Sequence, residues 1–539
     1  MSAEIESIWG IDFGTTTTFL SSSGELVPLG KLGQKFLPSI AGYDGDAIVF
    51  GDDTETLTED EKLRSVKQEI TDRKSLVRVP KRNTGSEKYL PVDEIVLGIL
   101  SKARRQALRE VEDNDSVRLG CPAMWDAKQR LRLLEIAQRA GLKVESSTLI
   151  DEPIAACINW LETQKYEQNG MAVVFDIGGG TLDIALVDVK AKIGFDRKVT
   201  VLASFGKREA GDDLDESITD FILERISLEE PGIGHELAAH RGWVKLAARQ
   251  MKEKLSQVHE LEQTIASPLE TSISVRLTRD ELREIFRPQF RRSLDLLSQT
   301  IRNGLVRRGL ETVESVRTLT MKNLLTHEEI KFFVLAGGMS KMPILQDLLV
   351  EEGVMLSSID FTHYDRITEK PAPEEAIARG LGFNSAYQTL NLHVPSFDLV
   401  LAWTNPDGSK AEEIIHEAYT PLYPEFFPRH KGFHPTFRTG LPTSGFGYVF
   451  ARTIDGEVLP FRFENGEIIP KMVFRFGTEY NGSKIVLYES GTLIIKNTYG
   501  DGQHRLRIKS WPVTRAGSTA NNLRVDGTEG LPWYLKPSN

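Results

Sequence analysis

The chain has 539 residues, 40% of them hydrophobic and 27% charged, and carries a formal net charge of −11. A chain of this length outgrows a single hydrophobic core, so more than one domain is expected. The acidic balance argues against nucleic acid or an anionic membrane as the main partner, and no apolar run has the length of a membrane span.

The segment Met1 to Glu6 is acidic and lacks the basic-then-apolar order of a signal peptide. Only two cysteines occur, Cys121 and Cys157, read as small core residues, and a reduced cytoplasmic setting is expected. Ile8-Trp9 reads as a buried strand that runs into Gly10-Ile11-Asp12-Phe13-Gly14-Thr15-Thr16. The apolar positions Val96, Leu97, Leu100, Ala103 and Leu108 predict an amphipathic helix, followed by a strand over Ser116–Leu119. A second helix is predicted from Lys128 to Leu142, stopped at Gly141. A second apolar run, Met171 to Phe175, leads into Asp176-Ile177-Gly178-Gly179-Gly180-Thr181-Leu182-Asp183. Thr278-Arg279-Asp280-Glu281 is a capping-box start for a helix through Leu297, with Pro288 a candidate kink. Up to about residue 387 strands and helices alternate, which predicts an α/β domain over 1–387.

From about residue 390 the character changes. Pro421, Pro424, Pro428 and Pro435 crowd among aromatics, including Phe426, Phe427, Phe433 and Phe437, in a stretch no helix tolerates. Asn465-Gly466 and Ser490-Gly491 read as hairpin turns between strand-like runs. A β-rich domain is therefore expected over 388–539.

The two Asp-Gly segments carry the chemistry. A strand that ends in Asp-x-Gly and turns back through small residues exposes backbone N–H groups at a tight turn, and such turns bind phosphate oxygens. The aspartates then suit a hydrated Mg²⁺, which prefers carboxylate and water oxygens. Two such segments point to a duplicated fold gripping one nucleotide from both sides. Other phosphate and metal signatures fail. Gly30-Lys31-Leu32 has neither the spacing nor the hydroxyl of a Walker A loop, and Asp183 stands where G-x-G-x-x-G needs its third glycine. His235 and His240 are five residues apart and point to different faces of a helix, so they are not a zinc pair.

Taken with these segments, two more stretches make the chain resemble the actin, Hsp70 and sugar kinase superfamily, and the Hsp70 ATPase domain in particular. Asp151-Glu152-Pro153-Ile154-Ala155-Ala156 is similar to that family's Asn-Glu-Pro-Thr-Ala-Ala turn. Leu335-Ala336-Gly337-Gly338-Met339-Ser340-Lys341-Met342-Pro343 is similar to its adenosine segment, and the four stretches occur in the family's order. Arg64 to Gln68 resembles the segment that holds the catalytic lysine, and Gly211-Asp212-Asp213-Leu214-Asp215 resembles a segment that actin-like proteins also carry. The resemblance covers about residues 5–387.

It implies a two-lobed actin-like (ribonuclease H-like) ATPase, with ATP or ADP and Mg²⁺ as cofactors. Asp12 and Asp176 would hold the Mg²⁺ water shell, or else simply shape their turns. Gly14, Thr15 and Thr16 with Gly178, Gly179, Gly180 and Thr181 would cradle the β and γ phosphates, Thr181 also placing the attacking water. Lys67 would stabilise charge at the γ-phosphate, its plain alternative being a solvated helix lysine. Glu152 would bond the Mg²⁺ shell or the attacking water, its plain alternative being a helix N-terminal carboxylate. Asp183 would support them. Gly211, Lys252 and Ser256 would approach the nucleoside, although Arg249 replaces the family's glutamate there. Gly337, Gly338 and Ser340 would line the purine, with Lys341 beside it. A protein or peptide client of the β-rich domain is implied, together with J-type and exchange partners and a monomeric state. The linker that precedes this domain is sought at 390–394 or at Asp398–Leu401, and no lid helix is recognised. The alternative is an actin-like filament protein that polymerises with ATP.

Overall fold

A computed structural model describes residues 8–79, 88–107, 116–123, 125, 127–144, 148–164, 167–191, 198–266, 272–355, 359–361, 373–383 and 388–389, and, further on, 397–416, 442, 445–453, 458–459, 461–462, 468–475, 484–487, 492–496 and 503–507. Two sheets organise the first 389 residues, and they repeat one plan. In the first, strand Ile8–Phe13 pairs in parallel with Ser116–Cys121, which pairs in parallel with Leu149–Asp151. On its other side it pairs antiparallel with Thr17–Ser22. In the second, Gln168–Ile177 pairs in parallel with Ile330–Ala336, which pairs in parallel with Ile359–Phe361. On its other side it pairs antiparallel with Leu182–Ala191, followed by Lys198–Lys207. Each predicted Asp-Gly segment is thus the tip of a central hairpin.

The central strand of the second sheet is buried from Met171 to Ile177, as expected of a strand covered on both faces. Three large clusters of buried side chains among the described residues follow from this plan. One gathers Ile11, Val66, Ile70 and Leu119 with the helix Val92–Ala107 on the first sheet. Another joins the second sheet to Gly211–Glu229, Arg241–Leu255 and Arg279–Arg308. The third lies between the sheets, where helices Glu152–Thr163 and Ala376–Gly382 cross. The crossing is tight: a Cβ on Gly380 would run into the Ala155 carbonyl, and a Cβ on Gly10 would run into Gly382 and Ala378.

Several expectations are corrected. The helix that begins at Thr278 keeps its capping box, with Glu281 N–H donating to Thr278 Oγ1 at 3.2 Å, but continues past Leu297 to Arg308. Pro288 lies inside it without ending it, and Gly309, with φ 74°, closes it. The helix predicted from Lys128 spans Ala127–Arg139, two residues short of Gly141. Asp398–Leu401 is not a linker but part of strand Phe397–Thr404, where Leu399 and Val400 are fully buried. Residues 390–394 lie outside the described residues, as do Asn465-Gly466, Ser490-Gly491 and the Pro421–Phe437 stretch.

Beyond residue 396 every described element is a strand. Phe397–Thr404 is flanked by Lys410–His416 and Phe446–Thr453 in a five-stranded sheet. The strands on either side of Asn465-Gly466 pair antiparallel, Phe461 opposite Ile469, and Val486 lies opposite Ile494 across the second predicted hairpin. Just before this region, Gln388–Thr389 runs parallel to Lys198–Val199 on the edge of the second sheet.

Candidate functional site

The two hairpin tips make the same turn. Gly14 N–H donates to Thr17 O at 3.0 Å, and Gly178 N–H donates to Thr181 O at 3.0 Å. They also meet: a Cβ on Gly179 would lie 2.6 Å from Thr16 Oγ1, and one on Gly180 would lie 2.7 Å from Thr15 Oγ1. The structure therefore brings Gly14, Thr15 and Thr16 face to face with Gly178, Gly179, Gly180 and Thr181.

Behind the tips is a buried cluster of one cation and four carboxylates. Asp12 and Asp176 are each the last residue but one of their strands, Lys67 projects from the short helix Val66–Thr71, and Glu152 opens the helix Glu152–Thr163. Lys67 Nζ lies 2.5 Å from Glu152 Oε1, with each side chain only 3% exposed. That burial excludes the solvated-lysine alternative. Burial lowers the proton affinity of Lys67, but Glu152 and Asp12 outweigh it and hold that affinity above the usual lysine value. Asp12 is pushed up to about 7, by burial first and by Glu152, against the pull of Lys67. Asp176 is pushed well above the carboxylate range by burial and then by Glu152, Asp183 and Asp12. Asp183 is raised to about 7 by burial and Glu152, while its Oδ1 accepts Ala123 N–H at 2.9 Å.

One cation cannot balance this cluster. Oδ1 of Asp12 and Oδ1 of Asp176 are buried without a hydrogen-bond partner, a costly state that a divalent cation with its water shell relieves. Among the described residues no group of three or more His, Cys, Asp or Glu side chains forms a direct ligand set. A cation here would take most of its ligands from water and phosphate, as Mg²⁺ does. The residues present fit that group.

A further ionic network, missed as such in the sequence, lies beside the second tip. Gly211 and Asp212, opening the helix Gly211–Glu229, donate their N–H groups to Gly178 O at 3.1 Å and Gly179 O at 2.6 Å. Arg249 reaches Asp212 Oδ1 and Asp215 Oδ2, each at 2.8 Å. Lys252 Nζ lies 2.6 Å from Asp215 Oδ1 and donates to Gly211 O at 3.0 Å. Gly211 and Lys252 are thus brought to the phosphate-type turn, whereas Ser256, at the end of the same helix, bonds within it, to Lys252 O at 3.5 Å. An opening between the sheets is lined by Thr15, Thr16, Ser39, Ile40, Arg64, Ser65 and Arg249.

Gly337 follows strand Ile330–Ala336 and stands directly behind the second tip, where a Cβ would lie 2.6 Å from Asp176 Oδ1. Gly338 faces open space. Ser340 is fully buried and its hydroxyl donates to Gly337 O at 2.7 Å, shaping the turn. Lys341 is half-exposed and pairs with Glu374. On the other side of the cluster Arg130 is buried, 2.6 Å from Asp151 Oδ1, and donates to the Trp125 carbonyl at 2.8 Å, fixing the loop whose Ala123 N–H meets Asp183. Arg130 lies on the helix predicted from Lys128, but nothing in the sequence alone marked it as this support.

Comparison with known proteins identifies the family. The family described as Hsp70 protein matches residues 49–386. The chain is 26% identical over 443 residues to the chaperone protein DnaK of Thermosipho melanesiensis, covering 78% of this chain and 63% of that protein. It is 26% identical over 359 residues to the DnaK of Mycoplasmoides gallisepticum, covering 64% of this chain and 55% of that one. It is 28% identical over 375 residues to a chaperone protein HscA homolog of Pseudomonas paraeruginosa, with 64% and 53% covered. The chain therefore spans between 53% and 63% of the length of these relatives. With two like hairpin tips, a shared cluster of aspartates around one lysine, and a family match over more than half its length, the chain belongs to the Hsp70 family.

Proposed function

We propose that residues 1–387 form a two-lobed actin-like ATPase that binds ATP with Mg²⁺ and hydrolyses the γ-phosphate, and that residues 388–539 form a β-rich domain for a protein or peptide partner. The observation that carries this reading is the facing pair of hairpin tips in front of the Lys67–Glu152 pair. Hydrolysis of a phosphoanhydride is mainly positioning and charge stabilisation. Thr15, Thr16 and the Gly178–Thr181 turn bind and orient the phosphates. Asp12 and Asp176 hold the water shell of the cation, which when bound neutralises phosphate charge. Lys67, kept protonated by Glu152, stabilises the charge that develops and with Thr181 orients the attacking water. Lys252, Ser256, Gly337, Gly338, Ser340 and Lys341 belong to the nucleoside side. Among these, Ser340 acts through the Gly337 turn it bonds.

In this reading lobe closure on ATP changes the affinity of the β-rich domain for its partner, which requires different contacts in the two states. A monomeric, cytoplasmic chaperone working with J-type and exchange partners follows as part of the same proposal. The relatives named DnaK and HscA are called chaperone proteins, which supports it. The test is release of phosphate from ATP by the full chain and by Asp12→Asn, Lys67→Ala and Asp176→Asn. Turnover that is magnesium-dependent and lost in each variant is expected; parental rates in all three would sink the assignment. Light scattering on ATP addition separates this reading from filament assembly, which alone raises it.

A further inference from the structure

Lys67 sits on a helix of six residues, Val66–Thr71, too short to hold its shape alone. Its own lobe anchors it through buried Val66 and Ile70 and through Trp125 and Gln129, which bond Thr71. Groups from the other lobe hold both of its ends as well. At the start, Ser65 Oγ donates to the Asp212 carboxylate, and Asp212 is tied by its own N–H to Gly179 O at 2.6 Å. Ser65 has a left-handed backbone, φ 57° and ψ 35°, which a non-glycine residue keeps only where its surroundings impose it. At the far end, Arg208, just past strand Lys198–Lys207, donates Nη2 to Gln68 Oε1 at 3.1 Å and lies with Nε 2.9 Å from Asp72 Oδ1. Gln68 in turn touches the second hairpin tip, where a Cβ on Gly180 would lie 2.5 Å from its Nε2.

We propose that Arg208 and Asp212 form a two-point clamp through which the second lobe sets the position of Lys67, Arg208 acting as a positioning residue for hydrolysis. This rests on the ATPase reading above. The clamp closes only when the lobes are together, so the lysine comes into register with the phosphate turns as part of closure and not before it. Asp212 links the turn Gly178–Thr181 to one end of the lysine helix, and Arg208 links the end of a neighbouring strand to the other. Removing either end frees the helix to shift, and misplacement of a reacting group by about 1 Å costs on the order of 100-fold in rate.

The test uses the full chain. Arg208→Ala and Asp72→Asn are expected to slow single-turnover ATP hydrolysis by roughly tenfold or more while leaving ATP affinity within about twofold. The exchanged pair Arg208→Asp with Asp72→Arg restores the rate. Arg241→Ala is the control: Arg241 is 39% exposed, against 42% for Arg208, and ion-paired with Glu216 and Asp220 in the same lobe. Parental rates in both single variants, or a loss confined to nucleotide affinity, would overturn the clamp. A second readout needs no turnover: with ADP and Mg²⁺ present to hold the lobes together, amide hydrogen exchange over residues 66–72 should quicken in Arg208→Ala and not in Arg241→Ala. Unchanged exchange there refutes the clamp even if the chain proves not to hydrolyse ATP, whereas an inactive parent with quickened exchange refutes the ATPase reading and keeps the clamp.

Discussion

Lys67 Nζ and Glu152 Oε1 are 2.5 Å apart, each side chain almost wholly buried, and Lys67 also faces Asp12, Asp176 and Asp183. Removing one partner of a buried pair leaves the other charge uncompensated, at a cost of about 3–5 kcal/mol. Lys67→Ala should therefore lower the stability of the nucleotide-free protein by about that amount. The urea midpoint at unchanged slope measures it, and a midpoint equal to the parent's would show that the carboxylates are neutral without the lysine.

Neighbouring glycines should respond in opposite ways. Gly337 has φ 79°, and a side chain there would strike Ile177 O and Asp176 Oδ1. Gly337→Ala should cost at least about 1–2 kcal/mol for the left-handed backbone alone. Gly338 has no such backbone angle and nothing within 4 Å of its would-be Cβ, so Gly338→Ala should stay within about 0.5 kcal/mol of the parent. Thermal melts of the two variants decide the matter; equal losses would mean that the Gly337 turn is not built as described.

Acid should loosen the segment that leads into the lysine helix. Burial pushes the Glu59 carboxyl up, but Lys62 at 2.8 Å and Arg64 at 2.7 Å outweigh it and hold its affinity for protons below the usual glutamate value. A carboxylate with a lowered folded value stabilises above its unfolded value, near 4.5, and loses that contribution as pH falls through the folded one. Glu59→Gln should cost at most about 1 kcal/mol near neutrality, since the pair is partly exposed, and nothing at the acid end. A difference between variant and parent that does not shrink below pH 4.5 would contradict this.

Neither thiol should react in the folded protein. Cys121 and Cys157 are fully buried, and burial pushes both thiols up to about 12. A chromogenic disulfide reagent at pH 8 should find no fast thiol until denaturant is added, and then two. A single fast-reacting thiol in the native protein would show that one of these cores opens.

Much of the fold was legible because it is local. Apolar runs before Asp12 and Asp176 fix two buried strands, and small residues after them leave little choice but a tight return. The capping box at Thr278 fixes where its helix begins. Its end was misplaced at Leu297, although Arg307-Arg308-Gly309 carries both a basic last turn and a glycine stop. Asp398–Leu401 was misread because four apolar-rich residues look alike as a linker and as a strand; only pairing with Lys410–His416 and Phe446–Thr453 separates them.

The site was legible where the chemistry is carried by a turn and hidden where it is carried by pairs distant along the chain. Nothing in the sequence links Ser65 to Asp212 or Arg208 to Asp72, since each pair is more than 130 residues apart and joins two lobes. Arg249 looked out of place opposite a nucleoside until Asp212 and Asp215 appeared beside it.

The crossing of Glu152–Thr163 and Ala376–Gly382 bears on how the molecule can move. Backbone lies against backbone there where Gly380 meets Ala155, and strand Ile8–Phe13 packs on the second of these helices with Gly10 against Gly382 and Ala378. Close packing of this kind resists the sliding of one helix over the other. Glu152, on the first turn of one of those helices, ties the lysine helix to this joint through its pairing with Lys67.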